Sequence, residues 1–290
     1  AIDRTLPVAD PTGHDVQASL GAAFEGMALA LSTRGLRLGE PQAEHDARAN
    51  GCGPVVRAHI AEFGDASPDP LAAFVSRRHA FLGKFGPSRT DDLAVLSAPS
   101  ASDVRLVDTH GLSGLARQHD DATWAFESRS EYHRELWSWL RLSPRHPSYH
   151  RDGLNADCLA LSAPERWAAA RLLRPATSAV LSRLGIARIL VSESAPVKSA
   201  SAALLFCPRR DATAFDVGRR FYRLWLEVSA LGFHLVPMSA SPDHAPTRVA
   251  LETAHNVPDD RRVANVFRVG RIAPDEVAVS PRLPVDELLV

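Results

Sequence analysis

Apolar residues at Val217, Phe221, Leu224, Val228 and Leu231 recur every three or four positions, the spacing of one stripe along a helix. Thr213, followed three residues later by Asp216, predicts where that helix starts, and Gly232 is its expected left-handed stop. Phe233, Leu235 and Val236 then read as a short strand closed by Pro237. Just upstream, residues 202–207 (AALLFC) form an unbroken apolar run of buried-strand length. The order of strand, long helix, glycine and strand is compatible with α/β or α+β, and the rest of the chain is arranged around it.

A second stripe, Val16, Leu20, Phe24, Met27 and Leu31, predicts an amphipathic helix ending at Gly35, with Met27 as core packing. Residues 55–63 are expected as a strand, 64–70 as a turn-rich linker, and 71–78 as a short helix running into Arg77 and Arg78. Residues 91–96 begin another helix, with Thr90 as a candidate cap. Residues 103–108 read as a strand, 123–142 as a helix rich in tryptophan and charge, and 163–184 as helical but interrupted at Pro175. Residues 263–269 read as a strand and 281–289 as a tail. Residues 143–155 (SPRHPSYHRDGLN) are a polar loop with two prolines and a glycine, a composition that does not pack as core, and they are a candidate lid.

The length, 290 residues with 45% hydrophobic and 23% charged, suits one large or two intimate domains. The formal net charge of -1 implies no global pull toward nucleic acid or membrane. No apolar run approaches the ~20 residues that span a bilayer, and the polar start with Pro7 does not read as a signal peptide. Cys52, Cys158 and Cys207 are far apart and odd in number, which argues against a disulfide framework or a zinc cluster. Cys207 reads as an inert core thiol, and a reducing cytoplasm is the expected compartment. The abundance of Ala, Arg and Pro points to a bacterial source.

Several chemistries have no motif. The chain lacks a GxGxxG after a strand, a P-loop, an HExxH and a GxSxG elbow. His110, His119, His133, His146 and His150 lack metal-ligand spacing on one element and read as surface or loop residues. Trp124, Trp137, Trp139 and Tyr149 read as core and loop aromatics. Ser76-Arg77-Arg78-His79, with Lys84 nearby, has the paired N–H donors that grip phosphate, or is a solvated basic helix end.

The segment from Asp216 to Ser239, written D-x-G-R-x-x-x-x-x-W-L-x-x-x-A-L-G-x-x-L-x-P-M-S, resembles the nitroreductase-like FMN-binding family. It is most similar to the single-chain branch typified by the mycobacterial dormancy-associated Acg proteins. Residues 10–37 resemble the first conserved helix of that branch, where relatives carry a further segment upstream; the expectation is that this segment was trimmed or lost. The resemblance implies an α+β fold, a mainly antiparallel sheet wrapped by helices. It implies one unit over 1–290, with 1–70 resembling the first half of a single-chain pseudo-dimer, 71–290 an FMN-binding core and 143–155 its lid. A homodimer is the alternative arrangement.

In the family, an Arg-rich motif grips the FMN phosphate and ring edge, which the resemblance transfers to Arg77, Arg78 and His79. His79 stands where Ser or Thr is usual, and Phe81 lies about where a third arginine belongs, a charge that Lys84 replaces in this reading. Pro237, Met238 and Ser239 would pass beside the flavin and offer a backbone N–H to N5. Arg271 would follow the last strand's glycine, although it also reads as a surface residue, and Arg282, before Leu-Pro, would reach the phosphate. His146, Tyr149 and His150 are candidates for the flavin's open face. The implied activity is an FMN-dependent oxidoreductase moving hydride between flavin N5 and a small organic or peptide-derived substrate, with NAD(P)H as donor. The alternatives are an oxygen-dependent flavin dehydrogenase of secondary metabolism and a non-catalytic FMN-binding or storage protein. No nucleic-acid or membrane partner is expected.

Overall fold

The computed structural model describes residues 5–44, 55–62, 67–97, 102–273 and 280–287. In chain order the elements are α1 (His14–Ser32), β1 (Leu36–Leu38), β2 (Gln42–Glu44), β3 (Val55–Arg57), β4 (Ile60–Glu62), α2 (Asp92–Ser97), β5 (Val104–Val107), α3 (Thr109–Glu127), α4 (Ser130–Trp139), β6 (Leu140–Arg141) and β7 (Leu154–Asn155). They continue as α5 (Ala163–Leu172), α6 (Pro175–Arg183), α7 (Ala187–Leu190), α8 (Ser194–Lys198), β8 (Ala202–Phe206), α9 (Ala214–Ala230), β9 (His234–Pro237), α10 (Ala240–Asp243), α11 (Ala245–Ala254) and β10 (Asn265–Gly270). Short 3-10 turns cover Pro70–Phe74 and Val285–Glu287. The chain divides into two units, residues 1–78 with 210–231, and residues 79–209 with 232–290.

In the first unit α9 packs along α1. Thr213 caps α9 by accepting the Asp216 N–H at 3.1 Å, and Val217, Leu224 and Val228 of the expected stripe are buried. On α1 the expectation fails in part: Val16 is 41% and Met27 50% exposed, while Gly21, Phe24, Glu25 and Leu29 are buried. The small Ala18 and Gly21 let α9 approach, so the contact face is rotated from the most apolar stripe. Buried Glu25 accepts from Arg219 Nε at 2.9 Å and Arg223 Nη1 at 2.8 Å, and Arg223 also meets Asp69 at 2.9 Å. The strand expected over 55–63 is two short ones, β3 and β4, because they pair antiparallel with different partners, β2 and β1. The 71–78 helix is only the 3-10 turn, whose cap Asp69 accepts the Leu71 N–H.

The second unit is built on a four-stranded antiparallel sheet in the order β5-β8-β10-β9. Every residue of β8 is buried, as a continuous apolar run requires, and Leu205 stands opposite Val266 of β10. Leu112, Leu115 and Ala116 of α3 join Leu205, Val236 and Val266 in the core. The architecture is therefore α+β, with a mainly antiparallel sheet and helices. The tryptophan-rich helix begins earlier than expected and breaks in the middle. Asp108 caps α3 by accepting the Gly111 N–H at 3.1 Å, and extended Arg129 separates α3 from α4. Thr90 does not cap α2; instead Asp92 accepts the Arg89 N–H at 2.9 Å. Cys158 and Cys207 are buried free thiols, and burial pushes the Cys207 thiol up to about 12; Cys52 lies outside the described residues.

Candidate functional site

The second unit contains a strand exit with free donors. β9 ends at Pro237, which has no N–H. Met238 is 1% exposed and donates its N–H to Val266 O at 2.7 Å. The chain then turns into α10, with the Ser241 N–H donating to Met238 O at 3.0 Å. Between these anchors lie exposed Ser239 and half-buried Ala240, whose amides make no hydrogen bond among the described residues. Met238 is thus a structural anchor, and the two amides after it can serve an external acceptor.

Arg271, just past β10, is already engaged. Its Nε donates to Asp92 Oδ1 at 3.0 Å, its Nη1 to Gly232 O at 3.1 Å, and its guanidinium lies 3.9 Å from the Phe233 ring centroid. Asp92 is 1% exposed and also accepts from Ser201 Oγ at 2.8 Å. Burial works to raise the Asp92 carboxyl, but the Arg89 N–H, the Ser201 hydroxyl and Arg271 together hold it below the usual range. The pair clasps α2 to the end of β10. Lys84 and Arg282 are exposed, and His79 is half-buried. His234, near His79, is held down mainly by burial.

A polar cluster under the strand exit was not read from the sequence. His119 of α3 is 2% exposed, with Nδ1 2.9 Å from Ser241 Oγ and Nε2 3.6 Å from Glu193 Oε2. Burial works to raise Glu193, and His119 beside it holds it below the usual carboxylate range. Asp120 ties the same loop to α3 by accepting from Ser192 Oγ, Ser194 Oγ and the Glu193 N–H. On β10, Arg268 is 1% exposed and donates to Gly83 O at 2.9 Å and Leu82 O at 2.8 Å. Burial lowers its pKa to about 10 against the pull of Glu193. Ser241 is fully buried, so no substrate carbonyl reaches its hydroxyl and the Ser–His–Glu order supports no acyl transfer. The one advance signal was position: Ser241 lies just after Pro237-Met238-Ser239, and Arg268 lies inside the expected strand over residues 263–269.

His119 and His133 are corrections to the surface reading of the histidines, since both are buried. His133 Nδ1 lies 3.0 Å from Glu127 Oε2 and Nε2 2.9 Å from Leu173 O, so both ring nitrogens meet acceptors. The loop 143–155 is also not a plain polar strap. Tyr149 is 2% exposed, and its backbone carbonyl accepts from Asn155 Nδ2 at 2.7 Å. Parallel pairing of β6 with β7, and Arg141 Nη2 3.1 Å from Asp152, close the loop's base. Its turn needs Gly153 (φ 73), where a Cβ would stand 2.4 Å from Trp139 O. His146 is half-buried and accepts the Ser148 N–H on Nδ1, while His150 is exposed, its ring edge-on to Tyr149.

Arg77 and Arg78 belong to the first unit. Arg77 is exposed over Phe74, with 5.4 Å from guanidinium to ring centroid. Arg78 lies 4.6 Å from the Trp225 centroid and 5.6 Å from that of Tyr222, and its Nε makes no hydrogen bond among the described residues. It borders a cavity of about 330 Å³ that Ser19, Ala22, Phe221 and Trp225 also line.

No family model matches the chain, and no curated protein does. Among solved structures, the chain is similar to an FMN-bound nitroreductase from Bacteroides fragilis at 12% identity, over 77% of this chain and 98% of that one, with a TM-score of 0.41. It is similar to the FMN-dependent nitroreductase NfnB from Mycobacterium smegmatis in complex with NADPH at 17% identity, over 75% and 96%, with a TM-score of 0.40. It is also similar to an oxidised iodotyrosine deiodinase bound to FMN and 3-iodo-L-tyrosine at 16% identity, over 74% and 94%, with a TM-score of 0.37.

Proposed function

We propose that this chain is an FMN-dependent oxidoreductase that moves hydride between flavin N5 and a small organic or peptide-derived molecule, with a nicotinamide nucleotide as the donor. The observation that carries this reading is the strand exit: the amides of exposed Ser239 and half-buried Ala240 make no hydrogen bond among the described residues and directly follow an anchored Met238. Bound FMN would supply the two-electron chemistry. The chain's own part is to hold and orient. The Ser239 and Ala240 amides offer fixed donors to acceptors on the flavin edge, and a donor held in place costs no reorganisation. Lys84 and Arg282, both exposed, are the cations of this unit proposed for phosphate. Arg271 acts as a positioning residue in this reading, because its Nε and Nη1 already donate to Asp92 and Gly232.

The test is the absorption spectrum of the purified protein, followed by anaerobic addition of NADPH and NADH. A yellow protein whose flavin bands bleach supports the reductase reading. A yellow protein inert to both donors moves the assignment to an oxygen-dependent dehydrogenase or to storage. Colourless protein that takes up no added FMN sinks the cofactor assignment.

A further inference from the structure

Six of the twelve exposed large apolar side chains among the described residues fall between α5 and α7: Trp167, Val180, Leu184, Ile186, Ile189 and Leu190. Trp167 is 61%, Leu184 65% and Ile189 76% exposed, well beyond what a scattered surface residue needs explained. α5, α6 and α7 follow one another across links of two or three residues, so these side chains lie along one run of short helices. Val180 of α6 and its C-cap Leu184 lie one turn apart, and Gly185 (φ 74) then leads the chain into α7. The same stretch, residues 163–190, holds five arginines against one acid, Glu165. Arg188 pairs with Asp121, but Arg174 and Arg183 are exposed and meet no carboxylate among the described residues. Arg171 lies 4.0 Å over the Trp167 ring.

We propose that the α6–Gly185–α7 segment, together with Arg171, Arg174 and Arg183 of the same stretch, seats on the surface of an anionic phospholipid bilayer. Leucine, isoleucine and tryptophan side chains enter the headgroup boundary, and the long arginine stems keep their guanidinium groups at the phosphates. Charge selects this occupant. A second copy of the chain would bring two arginine-rich stretches together, whereas an anionic leaflet neutralises them. The net charge of -1 describes the whole chain, and the pull is confined to this local excess. The inference is independent of the cofactor.

Co-sedimentation of the full chain with vesicles tests it. Vesicles of phosphatidylcholine with phosphatidylglycerol should bind at least about tenfold more protein than phosphatidylcholine alone, and added salt should release it. Brominated acyl chains should quench a component of the fluorescence that is lost in Trp167→Phe. Leu184→Glu with Ile189→Glu should abolish binding with an unchanged melting temperature, as expected at exposed sites. If that pair fails to fold, Arg174→Gln with Arg183→Gln supplies the same loss of binding. No sedimentation with anionic vesicles, or equal binding to both lipids, overturns the proposal. So does undiminished binding in both double variants. A dimer in light scattering that the glutamate pair dissolves, without vesicle binding, assigns the face to a second copy instead.

Discussion

A Cβ placed on Gly218 would stand 1.9 Å from the carbonyl oxygen of Ala18. The converse contact lies one turn away, where a Cβ on Gly21 would stand 1.9 Å from Phe215 O. α1 and α9 therefore cross backbone against backbone at two reciprocal points, and no rotamer change relieves an added methyl there. Gly218→Ala should cost about 2–3 kcal/mol, at the upper end for overpacking. Gly114→Ala, inside α3 with nothing within 4 Å of its Cβ, should stabilise by roughly 0.5–1 kcal/mol. Urea unfolding followed by circular dichroism reads both, and a neutral Gly218→Ala would refute the tight crossing.

Arg271→Ala should leave Asp92 as a buried charge without its cation and cost roughly 3–5 kcal/mol. The Asp92 carboxyl is lowered in the fold, so its contribution is present above the unfolded value near 3.8 and is lost as pH falls through the folded value. Asp92→Asn should therefore lower stability at pH 7 and flatten the acid limb of the melting temperature. An unchanged acid limb would show that the clasp does not titrate.

His133 has the opposite sign. Glu127 raises its pKa first, burial works to lower it, and the Leu173 carbonyl adds to the rise. Its contribution is complete below the unfolded value of 6.5 and is lost as pH rises through the higher folded value. Glu127 also acts on Tyr132, which Arg129 neighbours. The melting temperature should therefore fall as pH rises above the ordinary histidine range, and Glu127→Gln should remove that slope. A slope that survives Glu127→Gln assigns the titration to another group.

For the cofactor reading, Lys84→Ala and Arg282→Ala should each weaken FMN binding by about 1.5–3 kcal/mol if each donates one charge-assisted hydrogen bond to phosphate. Fluorescence titration of FMN gives the value. Both residues are exposed, so the melting temperature without FMN should not change, which separates lost binding from lost fold.

Tyr149→Ala is a poor probe of the 143–155 loop, because Tyr149 is buried and its removal destabilises the loop itself. The composition of that loop, with its prolines, glycine and polar aromatics, read as lid material. The pairing of β6 with β7 and the Asn155 hydrogen bond to the Tyr149 carbonyl fix the loop's base, and neither shows as a local pattern. Arg271 read as an FMN-binding or a surface residue, yet its partner Asp92 is 179 residues away in the chain. Asp92 itself passed as the start of a helix.

The sequence by itself determined the elements whose cause is local. Thr213, the apolar stripe and Gly232 mark the limits of α9, and the unbroken run at 202–207 marks β8, because capping, periodicity and left-handed backbone act within a few residues. The tertiary structure decided which face of α1 is buried, which histidines are internal, and which carboxylate Arg271 meets. Met27 is as apolar as its stripe requires and is nonetheless half exposed, since the closest approach falls at Ala18 and Gly21. A hydrophobic count registers side-chain size, whereas packing rewards surfaces that fit. His119 with Ser241, and Arg268 with the Gly83 and Leu82 carbonyls, meet only after the sheet is assembled, and their burial is the consequence of that assembly.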